Sequence, residues 1–186
     1  NSLAKYALYS VVLITVILLL IYRSSKKVRM QKKLKKEDKL KLIDQLTSLK
    51  NRNYLNENLP NWNKNTIYPQ SIIMIDLNEI QEINDTLGYE EGDRQIRGAS
   101  NILIRTQLDN TDIIRTDGDE FVVYLVGYSA KQITSYIHKL TKEFKKLPYT
   151  NHSVRISYSM ILDDLKSIED AMNECVEDIK KQKESK

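Results

Sequence analysis

A chain of 186 residues with 41% hydrophobic content has room for one domain plus appendages and can bury a real core. Its net charge of +4 is unevenly spread: residues 23–36 carry eight Lys or Arg and no acid, Lys5 adds one more, and removing these leaves residues 37–186 at −5. A net-acidic globular part argues against a general nucleic-acid binder, whose affinity comes largely from neutralising phosphates, and the lone Cys175 rules out an internal disulfide or a cysteine-cluster zinc site and suits a core position in a reducing cytosol.

The chain starts without Met inside an apolar run, which reads as a piece of something longer with a sensor ahead of Asn1. Residues 6–22 hold no charge, only Ser10 and Thr15 as aliphatic hydroxyl side chains, and a tyrosine at each end. That is the short end of the range for a spanning helix, with aromatics at both interfaces. A signal-peptide core is shorter and ends in a small-residue cleavage site, which Tyr22-Arg23 does not supply. A transmembrane helix is therefore expected over residues 1–22. The basic block behind it (Arg23, Lys26, Lys27, Arg29, Lys32, Lys33, Lys35, Lys36) fixes the orientation, because cations flanking a span stay on the cytoplasmic side. The expectation is a single pass in the cell (inner) membrane, with everything after Arg23 cytoplasmic.

Residues 26–46 lack Gly and Pro and are good helix formers, so residues 23–43 read as a basic juxtamembrane region and connecting helix, with apolar positions that fit a heptad poorly. Asn51, Asn53, Asn56, Pro60 and Pro69 mark a loop-rich passage. Residues 70–77 read as a buried strand that ends in Asp76, a carboxylate that must be hydrated, paired or bound to metal at a sheet edge. Residues 79–84 suggest a short amphipathic helix closed by Gly88, and Gly92-Asp93 is expected to open the next, with Ile96, Ala99, Ile102 and Leu103 on one face.

Residues 112–115 and 121–126 are apolar, β-branched runs around Asp117-Gly118, which predicts a hairpin with a type I′ turn and the Asp119 and Glu120 carboxylates exposed at its rim. A helix over 131–146, an alternating strand over 154–160 and a helix over 167–181 with Ser167 as N-cap complete the pattern. The fold class is α+β: an antiparallel-containing sheet covered by helices and preceded by one transmembrane helix.

Four ordered segments carry a family resemblance. Asp44-Gln45-Leu46-Thr47 to Asn51-Arg52, then Asp76-Leu77-Asn78-Glu79-Ile80, then Ile83-Asn84-Asp85 to Gly92-Asp93, and Asp117-Gly118-Asp119-Glu120-Phe121 together resemble a GGDEF domain of the diguanylate cyclase family over residues 44–186. The resemblance implies a fold related to nucleotide-cyclase and palm domains, and the joining of two GTP into cyclic di-GMP by a homodimer. It also implies a site: Mg²⁺ or Mn²⁺ held by Asp76, Asp119 and the backbone carbonyl of Leu77; Glu120 and Asp119 as catalytic carboxylates; Asn84 and Asp93 as guanine readers; Gly118 and Lys180 at the phosphates. Hard cations take oxygen ligands, and a carboxylate can accept both donors on the guanine edge. Read without the resemblance, Asn84 is a turn residue and Asp93 a helix N-terminal acid.

The departures all reduce positive charge on the phosphate side. Asp117 replaces the first glycine of the signature, Gln81 stands where the family has lysine, and the arginine expected after Lys180 falls on Glu184. Two like charges about 4 Å apart cost roughly 1 kcal/mol in water and roughly 4 at an effective dielectric of about 20. The upstream Arg-x-x-Asp motif of product inhibition reads Leu108-Asp109-Asn110-Thr111, so no cyclic di-GMP inhibitory site is expected at the usual position. The sequence thus supports a membrane-anchored bacterial cyclase, or else a degenerate domain that binds nucleotide or dimerises without turnover. An RNA-binding sheet of similar topology is disfavoured by the net-acidic domain.

Overall fold

The computed structural model describes residues 2–148 and 154–185, and the chain divides into two units, residues 1–41 and 42–186. The first unit is one helix, α1 (Ser2–Leu40), of 39 residues, about 58 Å long at 1.5 Å per residue. It is long and apolar enough to cross a membrane, by length and composition. The hydroxyls of Ser10 and Thr15 donate to the carbonyls of Ala7 and Val12 at 2.7 and 2.8 Å, which satisfies the two hydroxyls of the apolar run within the helix itself. Nothing interrupts the helix between Tyr22 and Leu40, so the apolar and basic segments form one rod.

The connecting helix was expected to reach Leu46 and instead ends at Leu40. In the second unit, Asp44 accepts from the amide and hydroxyl of Thr47 at 2.8 and 2.6 Å, and this local alternative to helical bonding shapes a turn that Ser48 closes at φ 60°.

The second unit is built on a five-stranded sheet: β1 (Lys50–Asn51), β2 (Gln70–Leu77), β3 (Thr111–Arg115), β4 (Glu120–Val126) and β5 (Val154–Ile161), in the order β1-β3-β4-β2-β5. Only β1 and β3 are parallel. Helices α2 (Arg52–Asn63), α3 (Ile80–Leu87), α4 (Tyr89–Arg105), α5 (Ala130–Phe144) and α6 (Ile168–Glu184) cover it. Strand alternation sorts the core into two layers. Ile73, Ile75, Phe121, Val123 and Leu125 pack with Ile80, Ile83, Ala99, Leu103, Ile133 and Leu140. Ile72, Met74, Val122 and Tyr124 pack with Leu55 and Trp62 of α2 and Ile168, Ala171, Cys175 and Ile179 of α6. Every residue of β2 is buried, as its near-continuous apolar run predicted.

Three local expectations are corrected. The passage after Asn51 is a helix, because the Asn51 side chain accepts from the Tyr54 amide at 3.2 Å and Leu55 and Trp62 have a face to bury. Pro60 lies inside it, and Trp62 beyond the proline stacks on Tyr124 at 4.2 Å between centroids, so tertiary packing overrides the helix-breaking signal. Helix α4 starts at Tyr89, which puts Gly92 inside the helix instead of ahead of it. The hairpin turn is not type I′: neither Asp117 nor Gly118 has a positive φ. The turn is closed by Glu120 N donating to Asp117 O at 3.5 Å and Thr116 N to Glu120 O at 3.0 Å. Ser167 caps α6 as expected, in a reciprocal box with Asp170.

Candidate functional site

Strand register brings the acidic residues together. Asp76, the penultimate residue of β2, lies directly opposite Glu120 on β4 and Arg155 on β5, so the three side chains share the sheet face that α2 and α6 cover. Asp76 is 7% exposed. Its Oδ2 accepts from Lys183 Nζ of α6 at 2.7 Å, and Arg155 Nη1 lies 3.7 Å from Oδ1. The Leu77 amide donates to the Asp119 carbonyl at 2.9 Å, which ties the strand tip to the exit of the turn.

The Asp119 carboxyl titrates above the usual carboxylate range: burial pushes it up first, and the charge of Asp76 adds to this, with Lys183 partly opposing. Two carboxylates that each raise the cost of the other's charge fit a divalent cation. Among the described residues no group of three His, Cys, Asp or Glu side chains could hold a metal. Asp76 and Asp119 are the side chains that could hold a metal here, with backbone and ligand oxygens completing its shell, as Mg²⁺ is usually bound beside phosphates. Next to Leu77, the buried Asn78 Nδ2 has no protein acceptor, so a donor is left over at the same end of the strand.

Glu120 is half-buried, not exposed at the rim; it accepts from the Thr116 hydroxyl and has Arg52 Nη2 at 3.8 Å. The turn between them is clamped. Arg115 makes paired 3.0 Å contacts to both Asp44 oxygens and also donates to the Gly118 carbonyl at 2.7 and 3.2 Å. Asp117 Oδ1 accepts from the Gly118 amide at 2.8 Å.

Asn84 and Gly92 meet at the α3–α4 junction. A Cβ at Gly92 would lie 1.9 Å from Asn84 Oδ1, so only glycine lets the Asn84 side chain rest against α4, one residue before the half-buried Asp93.

Lys180 is exposed on α6, and the lysine that reaches Asp76 is Lys183. The helix carries the signal for this: Ile168, Ala171, Cys175 and Ile179 are buried at spacings of three and four, and one further step of four lands on Lys183. Gln81 is exposed. Arg155, Arg52 and the Asp44–Arg115 pair were missed, because strand register and a contact across 71 residues leave no mark in local sequence.

Residues 41–186 match the family described as diguanylate cyclase, GGDEF domain. Among curated proteins, diguanylate cyclase DosC of Escherichia coli K12 is 29% identical over 108 residues, which is 56% of this chain but only 23% of that protein. Diguanylate cyclase DgcS of Shewanella oneidensis is 36% identical over 90 residues, 46% of this chain and 30% of that protein. Among solved structures, the coiled coil and GGDEF domain of DgcB from Caulobacter crescentus, in complex with c-di-GMP, superposes with a TM-score of 0.77 at 18% identity, covering 89% of this chain and 93% of that one. The sheet order, the paired carboxylates and a family match over residues 41–186 lead to one conclusion: this chain belongs to the GGDEF domain family of diguanylate cyclases.

Proposed function

We propose that the chain is a membrane-anchored diguanylate cyclase that condenses two GTP into cyclic di-GMP. The observation that carries this reading is the cross-strand pair Asp76–Glu120 with Asp119 beside it and Lys183 at Asp76. A bound Mg²⁺ or Mn²⁺ would neutralise triphosphate charge and polarise the α-phosphate toward attack. Asp76, Asp119 and the Leu77 carbonyl hold it. Glu120 acts at the attacking 3′-hydroxyl and, half-buried beside the Thr116 hydroxyl, is positioned to take its proton. Lys183, now on Asp76, would be available to phosphate oxygens with a cation bound there. Asp93 accepts from the guanine N1–H and amino group, while Asn84 pairs with the remaining edge. One chain offers one such set, so ring closure between two nucleotides requires a second copy. Helix α1 anchors the domain in the cell membrane, with the cations of residues 23–36 on the cytoplasmic side.

A second reading, a degenerate domain that binds nucleotide or dimerises without turnover, is favoured by the Asp117 carboxylate that replaces the signature's first glycine and occupies the Gly118 amide. The full chain in lipid nanodiscs, incubated with GTP and Mg²⁺ or Mn²⁺, separates them. Cyclic di-GMP that disappears in Asp76→Ala supports the cyclase, and bound GTP without product supports the second reading.

A further inference from the structure

We propose that Asp117 is a built-in competitor for the turn's anion-binding amide and so determines how tightly the site takes a triphosphate. This inference rests on the nucleotide-binding reading above. Asp117 Oδ1 accepts from Gly118 N at 2.8 Å, and a phosphate oxygen bound at this turn would compete for that same donor. Asp117 and Gly118 are both exposed, and a Cβ built at Gly118 meets nothing within 4 Å, so there is room beside the turn for a ligand.

The carbonyls on both sides of the amide are held. The peptide that carries it is held through Asp117 O by Glu120 N at 3.5 Å, and the following carbonyl is held by Arg115 at 2.7 and 3.2 Å. Among the described residues no ion pair joins Asp117 to a lysine or arginine, and the Asp117 charge also presses on Asp119. An incoming phosphate must therefore displace the carboxylate from the amide and then lie beside its charge. Asp117 acts on affinity through a hydrogen bond as well as through repulsion.

The two contributions separate by substitution. Asp117→Asn keeps a capping oxygen and removes the charge; Asp117→Gly and Asp117→Ala remove both. The full chain in nanodiscs is titrated with Mg²⁺ and α,β-methylene GTP, whose linkage cannot release pyrophosphate, and binding is followed by calorimetry. Asp117→Gly is expected to bind about tenfold tighter than the parent chain, the size of one charge-assisted hydrogen bond, with Asp117→Ala moving the same way and Asp117→Asn falling between. Equal affinities for Asp117→Asn and Asp117→Gly overturn the amide competition, since charge alone would then explain the gain. Affinities unchanged in all three variants, while the parent chain binds, overturn the inference but leave the nucleotide reading standing. No binding by any of the four proteins overturns that reading and this inference with it.

Discussion

Replacing Arg115 with alanine tests whether a long-range ion pair sets the geometry of the turn. Arg115 and Asp44 are 12% and 21% exposed, and the guanidinium spans both carboxylate oxygens and the Gly118 carbonyl. Breaking a fully buried pair costs about 3–5 kcal/mol, whereas exposed pairs contribute about 0–1. This pair lies nearer the buried limit, so Arg115→Ala should cost about 2–3 kcal/mol. The single tryptophan, Trp62, is buried in the second unit and reports its unfolding without interference from α1. With urea slopes of about 1–3 kcal/mol/M, the midpoint should fall by about 1–2 M. Arg94→Ala, which breaks an i,i+3 pair with Glu91 on α4, is the control and should cost about 0.5 kcal/mol or less.

The same ion pair predicts a pH dependence. Burial pushes the Asp44 carboxyl up, but the Thr47 hydroxyl and the Arg115 guanidinium more than reverse this, and its folded value is lowered. Its contribution is therefore fully present above the ordinary unfolded value of about 3.9 and is lost as pH falls through the folded value. The stabilities of the parent chain and Asp44→Asn should converge on acidification through that window. An Arg115→Ala midpoint no lower than that of Arg94→Ala would refute the clamp.

Other outcomes follow from the site. Asp119→Asn removes a carboxylate whose folded value is raised, a charge that costs stability as pH rises, so at neutral pH it should raise the melting temperature while removing cyclase activity; a lowered melting temperature would contradict this. Gly92→Ala forces Asn84 away from α4, and since a side chain can move, stability should change by about 1 kcal/mol or less while GTP affinity falls. Calorimetry with GTP and with ATP checks that the loss is specific to guanine. Lys180→Ala should leave stability within about 0.5 kcal/mol, as expected for an exposed side chain, and turnover unaltered because it is Lys183 that reaches Asp76. Lys183→Ala should cut turnover, and the reverse ranking would return the phosphate role to Lys180.

Elements with a strong period were legible in the sequence. The buried run of β2, the alternation of β5 and the Ser167 cap of α6 are local properties, and Asp76 at a strand end already called for a counter-charge. Helix α2 was hidden because its asparagines and Pro60 read as breakers, while the reason for the helix, burial of Trp62 against Tyr124, lies 62 residues away along the chain. The turn at Asp117-Gly118 was misread for a related reason. Arg115, Asp44 and the Asp117 side chain hold it in a shape that needs no positive φ, so the preference of the isolated dipeptide does not decide it. The carboxylates of the site were visible as residue types, but only strand register shows that Asp76 faces both Glu120 and Arg155.

The most direct test of the cyclase is stoichiometry. With the full chain in nanodiscs, GTP and Mg²⁺, two pyrophosphates should appear for each cyclic di-GMP formed, at a rate per chain that rises with protein density in the membrane because a second copy must complete the reaction. Tight GTP binding with neither product at any density would contradict it.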